Sequence, residues 1–375
     1  MTGGQKNLIA LGMGLCMSFA AGEGALRLYQ WRVNHIPFFS IQPDYRPRAR
    51  FRLSPFLVFG PRVDQRVELR RSRDSYFSAQ GFRTHELLGP KPPGVVRVFA
   101  LGGSTTEDLD NDECLHWPRV AQQLVNRAGR PDVRIYNGGM AGYTTAHTLV
   151  RFEMDVLQYE PDVVLIMHDV NDLSVVYHAW RRGRPVDANY LVQFGAATYT
   201  DDGGEIVLSR LLHSLRARLA EWTAARSPEP AGPYDLAGGR AIFERNLRSV
   251  VFVARGHGVM PVLLTMPACE SESVYVHTLG QHGFDPLVWP REFRRFLLDF
   301  DAYNETIRKV GRDLGVPVID LRREVPGTPA NFVDAVHHSA QGVRAIGEVV
   351  ARGLLALLPP VNGVRARPSR AASAE

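Results

Sequence analysis

Five residues in four separated stretches have the types that acyl transfer to a nucleophile requires. Ser104 stands in "VRVFALGGSTTEDL" (96–109), where an apolar run ends on Gly102 and Gly103. Gly142 lies in "NGGMAGYTT" (137–145), Asn171 in "HDVNDL" (168–173), and Asp334 and His337 in "NFVDAVHHSAQG" (331–342). A serine hydroxyl is a weak nucleophile and needs a base within hydrogen-bond reach. An imidazole, with a reference pKa of about 6.5, supplies one, so His337 is the candidate base. Asp334, three residues earlier, can hold His337 Nδ1–H and fix the tautomer. The Ser104 N–H, the Gly142 N–H and the Asn171 side-chain amide are the candidate oxyanion donors, and losing one such donor costs about 10²–10³ in rate. His338 is the competing imidazole, and the three-residue step from Asp334 favours His337. Each stretch alone is an ordinary turn, cap or surface pair; the combination and order are what point to chemistry.

These stretches must be brought to one edge. Short apolar runs rich in Val and Ile occur at 95–101, 133–137, 162–167, 259–264 and 316–321. Near-continuous apolar runs of this length fit parallel strands covered on both faces. Amphipathic stretches lie between them. One spans 117–129 and another 300–315, each ending on a glycine, and a last one at 343–358 stops at Pro359-Pro360. Strand and helix in alternation give an α/β fold with a parallel sheet. Ligands bind such sheets beyond the carboxyl ends of the strands, where the four stretches fall. Residues 178–240 and 268–298 break the rhythm and read as irregular insertions walling the site.

The chain has 375 residues, 45% hydrophobic and 22% charged, with a formal charge of +5. That composition is globular, with enough chain for one large domain or two ordinary ones. The positive charge is mostly scattered arginine and comes with no nucleic-acid-binding motif, so no nucleic-acid partner is expected. Cys16, Cys114 and Cys269 form no C-x-x-C; Cys114 and Cys269 read as two free thiols, although an oxidising compartment could pair them. There is no G-x-S-x-G, no P-loop and no strand-following G-x-G-x-x-G. "EDLDNDE" (107–113) lacks the central glycine and closing glutamate of a calcium loop. No cofactor and no metal are expected.

Before the α/β pattern, residues 1–30 carry Lys6 and then an apolar run from Leu8 to Gly22. This fits an export signal or an N-terminal membrane anchor, hence an exported protein of the cell envelope. Residues 31–94, rich in Pro, Arg and aromatics, read as an N-terminal extension of short strands and loops. Residues 361–375 read as a disordered tail.

The motifs together resemble the SGNH, or GDSL-type, esterase/lipase superfamily. Ser104 in "GGST" matches the first block, Gly142 in "AGYT" the second, Asn171 in "VND" the third, and Asp334 and His337 in "DAVH" the last. "GFRTHE" and "YNETIRKVGRDLGVPVIDL" extend the resemblance over roughly residues 80–358. It implies a flavodoxin-like three-layer α/β/α sandwich with a five-stranded parallel sheet over 95–360, and ester hydrolysis through an acyl-enzyme. An ester carried on a small molecule, glycan or lipid is the implied substrate. Transfer of the acyl group to an envelope polysaccharide, or an inert binding role, are the alternatives. Two departures stand out. The family's GDS is GGS here, and Asp169 replaces the usual glycine two residues before the Asn, which would set a bulky anion near the oxyanion donors.

Overall fold

The computed structural model describes chiefly residues 2–34, 51–61 without 55, 65–67, 75–84, 86–108, 115–181, 233–280 and 289–359; shorter pieces lie between, among them Asn111 and parts of 209–219. The 361–375 tail and most of the 178–240 insertion lie outside them, as does Cys114. Cys269 is buried and its thiol is free.

Five strands form the central sheet: β5 (Val96–Gly102), β6 (Val133–Asn137), β7 (Val163–Met167), β8 (Met260–Leu264) and β9 (Val318–Ile319). Their order is β6-β5-β7-β8-β9 and every pairing is parallel. All five residues of β7 are buried, as expected of a central strand covered on both faces. The sheet reverses its winding direction between β5 and β7. Ligands bind α/β sheets at such a reversal, and β5 and β7 lead into Ser104 and Asn171.

Two helical layers cover the sheet. On one face, helix α3 (Trp117–Arg127) packs with α10 (Ala340–Leu357) so closely that a side chain at Gly347 would meet Val120. On the other, α4 (Thr145–Arg151), α5 (Val170–Arg181), α6 (Leu236–Gly256) and α8 (Phe293–Leu314) pack together. Short helices α2 (Ser104–Glu107), α7 (Glu272–Gly280) and α9 (Leu321–Glu324) complete the domain. The three-layer α/β/α sandwich is therefore present.

The elements differ from the sequence expectation in three places. The last strand keeps only two of the six residues expected. Pro317 has no N–H for the ladder, and Asp320 turns away to accept two bonds from the Arg308 guanidinium. Helix α8 begins at Phe293, seven residues early, because Phe293, Phe296, Phe300, Tyr303 and Ile307 form a core-facing stripe rather than an aromatic loop. The 268–298 stretch thus holds α7 and the start of α8, and the 178–240 stretch ends inside α6.

Ahead of the sandwich, α1 (Gly3–Asn34) is one continuous helix of 32 residues. The extension folds into two antiparallel hairpins: β1 (Phe51–Ser54) with β2 (Val58–Pro61), and β3 (Gln65–Val67) with β4 (Ser75–Phe77). Leu57, Phe59 and Phe77 from this layer bury a small separate core with Met140 and Tyr143 of the second motif. Tyr143 Oη also donates to Phe59 O at 2.7 Å. The extension therefore clamps the loop that carries Gly142.

Candidate active site

Strand β5 ends at Gly102, and Ser104 opens α2 directly after it. The missing side chain of Gly103 is a packing requirement: a Cβ there would stand 2.6 Å from Asn171 Nδ2 and 3.3 Å from Tyr143 O. Asn171 Nδ2 donates to that same Tyr143 O at 2.8 Å. The GGS departure from GDS is thus coupled to the position of the Asn171 amide.

The loop after β9 brings the imidazole. Val333 N–H donates to His337 O at 2.9 Å and closes a tight turn. Inside it, Asp334 Oδ1 accepts from the N–H groups of Val336 and His337 at 2.9 and 2.8 Å. Its Oδ2 lies 2.7 Å from His337 Nδ1, and His337 Nε2 lies 2.8 Å from Ser104 Oγ. A carboxylate only accepts, so Nδ1 carries the proton and the Nε2 lone pair is turned to the serine hydroxyl. Burial opposes ionisation of Asp334. The adjacent imidazole and the two backbone donors outweigh it and hold the carboxyl below its usual range.

His338 points elsewhere. Its ring is buried against Phe332, and burial first, then the neighbouring His337, lowers its pKa to about 3. Of the two adjacent histidines, His337 is the one whose ring reaches Ser104 Oγ.

Three candidate oxyanion donors keep a hydrogen to spare. Among the described residues the N–H groups of Ser104 and Gly142 find no acceptor, and Asn171 Nδ2 spends only one of its two hydrogens on Tyr143 O. Gly142 adopts φ of +79°, a conformation suited to glycine. Its turn is fixed from both sides: Ala141 N–H donates to Glu107 Oε2 at 2.8 Å, and Tyr143 N–H donates to Met140 O at 3.1 Å. The structure brings all five sequence-identified residues together.

Asp169 behaves differently from expectation. It is 1% exposed, and burial, followed by the nearby Asp172 and Asp301, pushes its carboxyl well above the usual range. The bulky anion expected beside the oxyanion donors is therefore disfavoured. Among the described residues neither carboxyl oxygen has a hydrogen-bond partner. Asp172, raised by burial to about 7, accepts from Thr145 Oγ1 at 2.5 Å and from Thr145 N–H, tying α5 to the start of α4.

Two positioning residues escaped the motif reading. Arg83, buried in "GFRTHE", donates to Glu107 O and Asp108 O at 2.7 Å and to Asn111 O at 2.6 Å. Asn111 Nδ2 in turn donates to Asp108 Oδ1 at 2.9 Å and to His338 O at 3.0 Å. A clamp thus runs from the stretch between β4 and β5, across the loop after Ser104, to the backbone beside His337. An arginine with a polar cluster 24 to 28 residues downstream gives no local signal in a sequence.

The sequence model of the GDSL-like Lipase/Acylhydrolase family matches residues 100–345. Among curated proteins, the uncharacterized lipoprotein YqeF of Bacillus subtilis is 24% identical over 235 residues, covering 60% of this chain and 71% of that protein. Among solved structures, a lipase/acylhydrolase from Enterococcus faecalis aligns with 18% identity and a TM-score of 0.43, covering 71% of this chain and 98% of its own. A GDSL-like lipase from Bacteroides thetaiotaomicron aligns with 14% identity and a TM-score of 0.40, covering 70% and 89%.

Proposed function

Since this chain belongs to the GDSL-like lipase/acylhydrolase family, we propose that it is a serine esterase that cleaves carboxylic esters through an acyl-enzyme on Ser104. The observation that supports this most directly is the unbroken line from Asp334 through His337 to Ser104 Oγ, at 2.7 and 2.8 Å.

In this reading Ser104 Oγ attacks the ester carbonyl while His337 Nε2 takes its proton. Asp334 stays ionised, holds Nδ1–H and favours the imidazolium that forms. The developing oxyanion lies among the Ser104 N–H, the Gly142 N–H and the free hydrogen of Asn171 Nδ2. On collapse, His337 returns the proton to the leaving alcohol. Water then repeats the sequence on the acyl-enzyme, giving the acid and restoring Ser104.

The substrates are esters of envelope glycans or lipids, met at a membrane surface. Helix α1 is long and apolar enough over Gly3–Arg32 to cross a bilayer, and the Bacillus subtilis relative is named a lipoprotein. Both support export with the helix as anchor.

The test is turnover of a short panel of p-nitrophenyl esters by the full chain in detergent, beside Ser104→Ala. Hydrolysis by the parent that falls to background in the variant is expected. Equal rates from both would overturn the assignment, and no turnover of any ester by the parent would favour the inert reading.

A further inference from the structure

Helix α1 does not stand apart from the rest of the chain. At Glu23 it meets a second helical segment, described at residues 210–212, 214–216 and 219. Glu23 accepts from the N–H groups of Arg210 and Leu211 at 3.0 and 2.8 Å and from Ser209 Oγ at 2.9 Å, so it caps the start of that segment. Arg210 Nη1 donates to Gln30 Oε1 at 3.0 Å. Leu211 packs so near Gly22 that a Cβ there would stand 3.2 Å from its Cδ2.

The outer side of this segment is apolar. At about 100° per residue, Leu212, Leu215 and Leu219 fall within an arc of about 60°. Arg210 and Ser214 lie on the opposite side. The three leucines are 57%, 54% and 61% exposed, a cost a water-facing helix has no reason to carry three times on one stripe. Arg216 flanks the stripe and is exposed.

The position along α1 says what covers it. The apolar run is bounded by Lys6 and Glu23, about 25 Å apart at 1.5 Å per residue. That is close to the roughly 30 Å hydrocarbon thickness of a bilayer. Glu23 therefore marks the depth at which a spanning helix leaves hydrocarbon for headgroups, and the leucine segment is locked to α1 at that depth.

We propose that the described residues 209–212, 214–216 and 219 are an interfacial membrane contact, with Leu212, Leu215 and Leu219 inserted among the acyl chains beside α1. A helix with one apolar stripe and a flanking cation lies in the plane of the interface. It gives the chain a second point of contact with the bilayer, held to α1 through Glu23. This rests on reading α1 as the membrane anchor.

The experiment uses the full chain in phosphatidylcholine–phosphatidylglycerol vesicles whose acyl chains carry bromine, a short-range quencher of indole emission. Leu215→Trp and Leu219→Trp are compared with Met13→Trp in α1, each read as emission added over the unsubstituted chain. Loss of most of the added emission at all three positions is expected. Quenching at position 13 alone overturns the interfacial contact and leaves the anchor standing. Quenching at none overturns both. Emission at 215 and 219 that instead depends on protein density in the vesicles means that a second copy covers the leucines, and the proposal fails.

Discussion

Asp334→Asn isolates the orienting role of the carboxylate. The asparagine carbonyl can still accept from the N–H groups of Val336 and His337, which now reach Oδ1 at 2.9 and 2.8 Å. The turn is therefore kept. What changes is the group 2.7 Å from His337 Nδ1: an acceptor becomes a donor. His337 must then present its lone pair at Nδ1 and its proton at Nε2, 2.8 Å from Ser104 Oγ. In that tautomer the imidazole cannot accept the serine proton. The loss in such an arrangement is about 10⁴ in kcat, or about 5 kcal/mol of transition-state stabilisation. KM changes little because Asp334 makes no contact with substrate in this reading. Steady-state hydrolysis of a p-nitrophenyl ester gives kcat and KM, and thermal unfolding checks that the turn survives. The pH profile adds a second reading. A carboxyl held below its usual value in the fold contributes stability above its unfolded pKa of about 3.9 and loses it only as pH falls through the folded value. Asp334 therefore adds no step of its own to the parent's pH profile above about pH 4. A loss of less than tenfold in a stably folded variant would refute the reasoning.

Arg83→Met takes the guanidinium away from three buried carbonyls; Glu107 O keeps Asn137 Nδ2 at 3.4 Å and Asp108 O keeps Asn111 N–H at 3.3 Å, so Asn111 O is the one left without a donor among the described residues. At about 1–3 kcal/mol for that orphaned group, with a smaller part from the two weakened ones, the loss is on the order of 2–4 kcal/mol. Urea unfolding should show it, and kcat should fall as Asn111 loosens its hold on the backbone beside His337; a loss below about 1 kcal/mol would mean that water replaces the clamp. Asp169→Asn should behave oppositely and with a pH signature. Its carboxyl is raised in the fold, so the folded protein binds that proton more tightly than the unfolded chain, and stability declines as pH rises from about 4. The variant should therefore gain melting temperature over the parent between pH 4 and pH 8; a difference independent of pH would show that burial does not act on this charge.

The sheet was legible because its strands are buried on both faces, so that Val and Ile runs such as 162–167 carry little else. The five candidate site residues were legible for a related reason. Each follows a strand directly or lies in a short turn, where Gly102, Gly103, Gly142 and Asp334 have local conformational work to do. What escaped depends on contacts distant in sequence. Nothing near Phe293 says that its ring packs on Tyr275 of α7, so α8 read as starting late. Pro317 and Asp320 shorten β9 through an arginine on another element. Asp169 read as a charge beside the oxyanion donors, because composition does not show that a side chain is 1% exposed. The Arg83 clamp joins residues that only the folded chain makes neighbours.

The central claim is that residue 104 is the group that becomes acylated. The most direct measurement is to treat the full chain with a fluorophosphonate, digest it and locate the adduct by peptide mass spectrometry. The account predicts one modified side chain, the hydroxyl of Ser104, with labelling slowed in step with hydrolysis by Asp334→Asn. An adduct on another residue, or labelling that persists undiminished in Ser104→Ala, would contradict it.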